Sequence, residues 1–224
     1  MKKVIALLVA MSTTAAFAGV DYASKYIFRG ATVNDSAAIQ PSMDTSVLGL
    51  DIGAWASYDT GSDAFEEVDF FVGYDVTELA GVAVSVGLCE YIYTAGEADT
   101  EASVYLDYSI AGVDLSAALN KTMDGAMGDY TIFGASYGFD ISEGIAGSLS
   151  YEVGNLDDGT TDEEAYSAVT VAAELGTFGP LDVGISYTTI NEGDLQGLLD
   201  DDGNPAPYVT EDDVFVVSIS GDLF

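Results

Sequence analysis

Apolar and polar residues alternate with a period of two along most of this chain. That is the mark of β-strands with one apolar and one polar face. Glu101 to Ile110 shows it plainly. Ala102, Val104, Leu106, Tyr108 and Ile110 fall on one face, and Glu101, Ser103, Tyr105, Asp107 and Ser109 on the other. Val68 to Val76 sets Val68, Phe70, Val72, Tyr74 and Val76 against Asp69, Phe71, Gly73 and Asp75. The alternation recurs over Ser36 to Val47, Leu48 to Tyr58, Val82 to Cys89, Val113 to Asn120, Ile145 to Val153, Ala165 to Leu175, Leu181 to Thr188 and, less regularly, Val214 to Phe224. Tyr130 to Phe139 is a strand whose facing the pattern leaves open. The order breaks at Glu90, where Tyr91 and Tyr93 take the polar parity, which predicts a bulge or emergence from the apolar layer. No segment sustains a 3.6-residue period, so no helix is predicted.

The first segment, V-D-Y-A-S-K-Y-I-F-R-G from Val20 to Gly30, brings the total to about twelve strands, an even number. Nearly every polar face collects Asp, Ser and Gly. Polar faces that share a lumen, with apolar faces toward lipid, describe an all-β antiparallel transmembrane barrel. Such barrels have short turns on the periplasmic side and longer outer loops. Val47 to Gly49, Thr77 to Gly81, Ala111-Gly112, Asp140 to Gly144 and Gly176 to Pro180 are the expected turns. Ala31 to Asp35, Asp59 to Glu67, Ala95 to Thr100, Met123 to Asp129, Asn155 to Glu164 and Asn191 to Asp213 are the expected outer loops, most of them acidic. Pro41 interrupts the pattern and is tolerable at a bulge or strand end. The closing strand puts Phe215, Val217, Ile219 and Leu223 on its apolar parity. The terminal Phe224 is one step out, which a bulge near Gly221 would restore.

Val20 to Gly30 also fixes an orientation. Val20, Tyr22, Ser24, Tyr26 and Phe28 share one face, and Asp21, Ala23, Lys25, Ile27 and Arg29 the other. A Lys or Arg facing lipid at the bilayer midplane costs about 2–4 kcal/mol. The strand therefore turns Lys25 and Arg29 inward and its tyrosine face to lipid. The two bases lie about 13 Å apart along a strand, so each is expected to meet its own acidic partner on the wall.

Residues 1–18 carry two lysines, an apolar core and an Ala16-Phe17-Ala18 ending. They read as a secretory leader cut before Gly19, which leaves residues 19–224 as a single barrel domain. No later apolar run is long enough for a spanning helix. Of the five bases, Lys25, Arg29 and Lys121 then remain against 38 acids. That charge excludes a nucleic-acid partner. The single cysteine, Cys89, rules out an intrachain disulfide framework. The chain has no histidine, which removes Ser-His and Cys-His nucleophiles and His-based metal sites.

Several stretches resemble the TorF-type porin family of proteobacterial outer-membrane barrels: S-K-Y-I-F-R-G (24–30), A-A-I-Q-P-S-M-D (37–44) and L-G-L-D-I-G-A-W-A-S (48–57). The family often has proline where Ala37 stands. Its activity is not established, so the resemblance implies outer-membrane location and barrel architecture.

The inward acids are expected to be Asp21, Asp44, Asp51, Asp69, Asp75, Glu101, Asp107, Asp114, Glu152, Glu174 and Asp182, opposed by Lys25 and Arg29 alone. Two bases cannot pair eleven acids, and bare buried charges are too costly. A wet, cation-favouring lumen follows. The expectation is a monomeric, non-enzymatic outer-membrane channel that passes small cationic or neutral solutes by diffusion. The alternative is a non-conducting barrel whose acidic loops bind divalent cations, lipopolysaccharide or a partner. Membrane lipid and, during biogenesis, the barrel assembly machinery are the expected contacts, and no cofactor is required. Asp200, Asp202 and Asn204 have part of the spacing of a calcium loop, and Ca2+ or Mg2+ at the outer loops is the one metal expectation.

Overall fold

The computed structural model describes residues 17–94, 96, 98–125, 127–157, 162–192 and 212–222. Fourteen strands form among them: β1 (Phe17–Ala23), β2 (Tyr26–Phe28), β3 (Ala31–Asn34), β4 (Ala38–Val47), β5 (Leu50–Asp59), β6 (Ala64–Leu79), β7 (Val82–Tyr93), β8 (Ala98–Ile110), β9 (Val113–Asp124), β10 (Asp129–Ser142), β11 (Ile145–Asp157), β12 (Asp162–Phe178), β13 (Leu181–Glu192) and β14 (Asp212–Asp222). Twelve of them close an antiparallel barrel in chain order, with β1 zipped between β14 and β4. Closure leaves no wall strand with an unpaired edge. The remaining two, β2 and β3, pair only with each other.

Alternation sets the two faces of the wall. On the outside, Leu149 pairs with Val171, Tyr137 with Leu149, Tyr187 with Phe215 and Val104 with Leu119. These form the exposed apolar surface that a bilayer would cover. The strand of uncertain facing resolves the same way. Tyr130, Ile132, Gly134 and Ser136 share the lumen face with Asn120, Ala118, Ser116 and Asp114, while Phe133, Tyr137 and Phe139 face out.

All five expected turns gather at one end of the barrel, each of two residues: Leu48-Gly49, Ala80-Gly81, Ala111-Gly112, Glu143-Gly144 and Gly179-Pro180. In the first three both residues have positive φ, the twist that suits a right-handed hairpin. At the other end the strands run further than alternation suggested, so Thr60–Asp63 and residues 94–97, 125–128 and 158–161 are also short. Among the connections beyond β4, only residues 193–211 make a long one. These outer connections still exceed the two-residue turns, but each is shorter than the alternation gave it. The polar residues assigned to loops continue the strand ladder, since backbone pairing does not require an apolar face.

Pro41 sits mid-strand in β4. The β4–β5 ladder skips Gln40 and Pro41 and resumes in the same register, without a bulge, because proline lacks only the donor. The closing strand is also free of a bulge at Gly221. Ala18 pairs with Gly221 and Phe17 with Asp222 in unbroken register. Leu223 and Phe224 lie outside the described residues. β1 begins at Phe17, two residues before the expected cleavage point.

The main correction concerns the first strand. It leaves the wall after Ala23, and residues 26–34 form the β2–β3 hairpin. Arg29 and Gly30 turn it with φ of 48° and 80°, the same pattern as the X-Gly turns of the wall. Tyr26 and Phe28 therefore do not face lipid.

Candidate functional site

The hairpin lies inside the barrel and crosses the lumen near its loop end. Its side chains meet strands on opposite sides of the wall. Tyr26 is 5 % exposed, donates to Glu67 Oε2 at 2.6 Å and packs its ring 5.4 Å from that of Trp55. Phe28 meets Tyr91 edge-on at 5.8 Å. Asn34 Nδ2 donates to Glu66 Oε2 at 2.5 Å. At the tip, Arg29 donates from both terminal nitrogens to the two oxygens of Glu101, each at 2.7 Å. The guanidinium also lies 4.7 Å from the ring centres of Phe28 and Tyr130. Gly30 fits beneath Tyr166, where a Cβ would stand 2.5 Å from that residue's own Cβ.

The hairpin folds inward because it is amphipathic in a way the wall is not. Its aromatic and aliphatic groups bury against Trp55, Tyr91 and a cluster of Leu156, Ala165, Tyr166, Ala168 and Ile190, which Ile27 and Tyr130 join. Its polar groups reach acids of the wall, Tyr26 to Glu67, Asn34 to Glu66 and Arg29 to Glu101. Glu101, 1 % exposed, also accepts from Tyr91 at 3.2 Å and Ser103 at 3.4 Å. A fork of two parallel bonds to a carboxylate is the strongest arrangement available to such a pair.

Tyr91 and Tyr93 continue the inward parity of Cys89 without a bulge, opposite Asp69 and Glu67. The break in alternation there marks where the inner face starts to pack against the hairpin. Trp55 faces the lumen on the same level, opposite Asp69.

The register places all eleven expected acids on the inner face, and the hairpin divides them. Asp69 and Glu101 are buried at its level, together with Asp59, Glu67 and Asp99, which alternation had not singled out. Toward the turn end, Asp51, Asp75, Asp107, Asp114, Glu152, Glu174 and Asp182 are exposed to an open vestibule, and Asp21 and Asp44 are half-buried. Asp140 joins the vestibule wall. One recess of about 920 Å³ is lined by Glu174, Asp182, Thr170, Ser148, Ser186 and Ser218 among others. A second, of about 380 Å³, lies between Asp107, Asp114, Ser116, Ser136 and Glu152. The acids there accept from local hydroxyls: Ser46 to Asp51, Ser109 to Asp114, Thr177 to Asp182 at 2.8 Å, and Tyr166 to Glu152 at 2.5 Å.

The bases lie elsewhere. Arg29 is held by Glu101, and Lys25 Nζ stands 3.9 Å from Asp35 at the loop end. Neither projects from a wall strand as expected. Lys121 is on the outer face, 2.5 Å from Asp129. Asp200, Asp202 and Asn204 lie outside the described residues. Among the described residues, no three or more Asp, Glu or Cys side chains form a group able to hold a metal ion.

The missed acids had one sequence signal. Arg29-Gly30 has the form of Leu48-Gly49, Ala80-Gly81 and Ala111-Gly112, and so marks a turn inside the segment read as one strand.

The fold is that of outer-membrane porins. It is similar to the NanC porin, with a TM-score of 0.57 and 12% identity over 93% of this chain and 100% of that one. It is similar to the COG4313 outer membrane channel from Pseudomonas putida F1, with a TM-score of 0.50 and 12% identity over 94% and 96% of the two chains. No curated protein matches the sequence. The family relation comes from elsewhere and does not carry the TorF name: residues 9–219 match the family described as bacterial protein of unknown function (Gcw_chp), and the chain belongs to that family.

Proposed function

We propose that the protein is a porin-like channel of the bacterial outer membrane, passing small cationic or neutral solutes by diffusion, with the β2–β3 hairpin as its constriction. The observation that carries this is the vestibule. Its wall exposes Asp51, Asp75, Asp107, Asp114, Glu174 and Asp182, and none of Lys25, Arg29 and Lys121 lies among them. Fixed acids lining a wet cavity concentrate cations and repel anions. The likeness of the barrel to porin structures supports the same reading. The leader directs export, the turn end faces the periplasm, and the chain works as a passive monomer rather than an enzyme.

The hairpin itself favours a second reading. Its contacts span the lumen from Trp55 and Glu67 to Tyr166, as a plug would. The barrel would then be structural, its acidic loop end holding divalent cations, lipopolysaccharide or a protein partner. Single-channel recording of the refolded mature protein in a planar bilayer under a salt gradient separates the two. Stepwise conductance with a cation-selective reversal potential is the expected result. Silence from protein shown to be folded would overturn the channel.

A further inference from the structure

Asp69 stands where the hairpin meets the wall, opposite Trp55 on β5 and Tyr91 on β7. It is 8 % exposed, and its Oδ1 is fully shielded, with no hydrogen-bond donor beside it among the described residues. No solute reaches that oxygen either. A bare carboxylate oxygen so placed is costly, whereas a neutral acid is penalised far less by burial. The other contact of Asp69 is a second acid. A side-chain hydrogen bond joins it to Glu67, two residues back on the same face and 4 % exposed. Ionised carboxylates only accept, so that bond requires a proton between the two groups.

Glu67 in turn holds the hairpin. It accepts from the Tyr26 hydroxyl at 2.6 Å, and the Tyr26 ring packs 5.4 Å from that of Trp55. One proton thus heads a chain that runs from Asp69 through Glu67 to Tyr26. The nearest bases are engaged: Arg29 forks to Glu101, and Lys25, which lines the same recess as Asp69, lies beside Asp35. Cys89, Tyr91 and Tyr93 face the pair from β7. Asp99 approaches from β8 and Glu66 from β6 itself, and both carboxylates add to the cost of a second charge on the pair. Asp59, on β5, is turned to Ser36.

We propose that Asp69 and Glu67 form a proton-operated latch on the hairpin. With the shared proton in place, Glu67 holds Tyr26 and the hairpin stays seated. Loss of that proton leaves two adjacent charges in a buried site, and Tyr26 parts from Glu67 so that both carboxylates reach water. The seated state therefore binds one proton more than the released one. Released carboxyls ionise at about pH 4. Above that, each pH unit shifts the balance about tenfold toward release, until the seated pair itself gives up its proton. Arg29 and Glu101 still hold the tip. The latch rests on the reading of the hairpin as a constriction, and makes it one that widens as pH rises.

Trp55 is the sole tryptophan of the chain and packs on Tyr26, so its accessibility to acrylamide reports how the hairpin is seated. The experiment follows that quenching in the refolded mature protein in detergent from about pH 5 to 9, below the tyrosine range of about 10. Single-channel conductance is recorded over the same range. The expected result is a reversible rise in quenching with pH at constant far-ultraviolet β signal, with conductance rising alongside. The ratio of released to seated protein should grow about tenfold per pH unit on the rising limb. Asp69→Asn supplies an N–H donor at every pH and should hold quenching at its low-pH level. Glu67→Gln removes the second charge but keeps an acceptor for Tyr26. It should flatten the response too, and it serves if Asp69→Asn does not fold. Glu143→Gln, at a distant turn, should leave the response unchanged. A flat response in the unaltered protein, or one that survives both latch variants, overturns the latch. A pH response in quenching without conductance would sink the channel alone, and conductance with flat quenching would sink the latch alone.

Discussion

Arg29 and Glu101, 72 residues apart in the chain, form a two-pronged ion pair inside the barrel, with both N–H···O distances at 2.7 Å and side chains only 9 % and 1 % exposed. This pair fixes the tip of the hairpin to β8. It also offsets backbone strain, because Arg29 holds a φ of 48°, a conformation that costs a non-glycine residue about 1 kcal/mol or more.

Removing one partner of a buried pair leaves the other charge uncompensated, at about 3–5 kcal/mol. Arg29→Ala and Glu101→Ala should each destabilise the folded barrel on that scale. Arg29→Lys should not rescue it, since an ammonium cannot reproduce the fork. The double variant Arg29→Met, Glu101→Leu should lose less than either single one. Urea unfolding in detergent or lipid vesicles gives the comparison, and additive losses in the double variant would contradict the pairing.

Gly30 is constrained twice, by a φ of 80° and by Tyr166, whose Cβ would meet an added Cβ at 2.5 Å. Gly30→Ala should therefore cost more than the ~1–2 kcal/mol of left-handed strain alone. Combining it with Tyr166→Gly, which removes both that Cβ and the ring, should relieve the contact but not the strain, though it also removes the Tyr166 hydroxyl from Glu152. Partial recovery of the unfolding midpoint, judged against Tyr166→Gly alone, would confirm that the tip seats under that residue.

Selectivity should depend on the vestibule. Glu174→Gln with Asp182→Asn removes two exposed lumen carboxylates of the larger recess. The reversal potential under a salt gradient should move toward zero, with little change in stability. Asp35→Asn at the loop end should leave it where it was. Equal effects from both would mean that general surface charge, rather than the lumen wall, selects the ion.

The two faces of one strand should respond oppositely to the same substitution. Leu149 faces out, opposite Val171, and Ser150 faces in, opposite Thr170. Leu149→Arg should cost about 2–4 kcal/mol if that face meets lipid. Ser150→Arg should cost far less, beside Glu152 and Asp114 in an open recess. Reversible folding into vesicles of defined thickness would show the difference, and a reversed order would invert the assignment of the faces.

Period-two alternation was enough to reach the barrel, the strand number and the inward parity of the acids. Each of these depends on neighbours in sequence, since successive side chains leave a strand on opposite sides whatever it pairs with. The gaps between alternating segments located the turn-end connections for the same local reason. The hairpin escaped because strand and hairpin share one period. Tyr26, Ile27 and Phe28 alternate equally well along a wall or across a lumen. What separates the two is the company that Arg29 keeps. Only closure of the barrel brings Glu101 and Tyr130 to its guanidinium and Tyr166 over Gly30. Burial of an arginine is tolerable only where a carboxylate already waits, and that meeting is a property of the closed wall rather than of any segment.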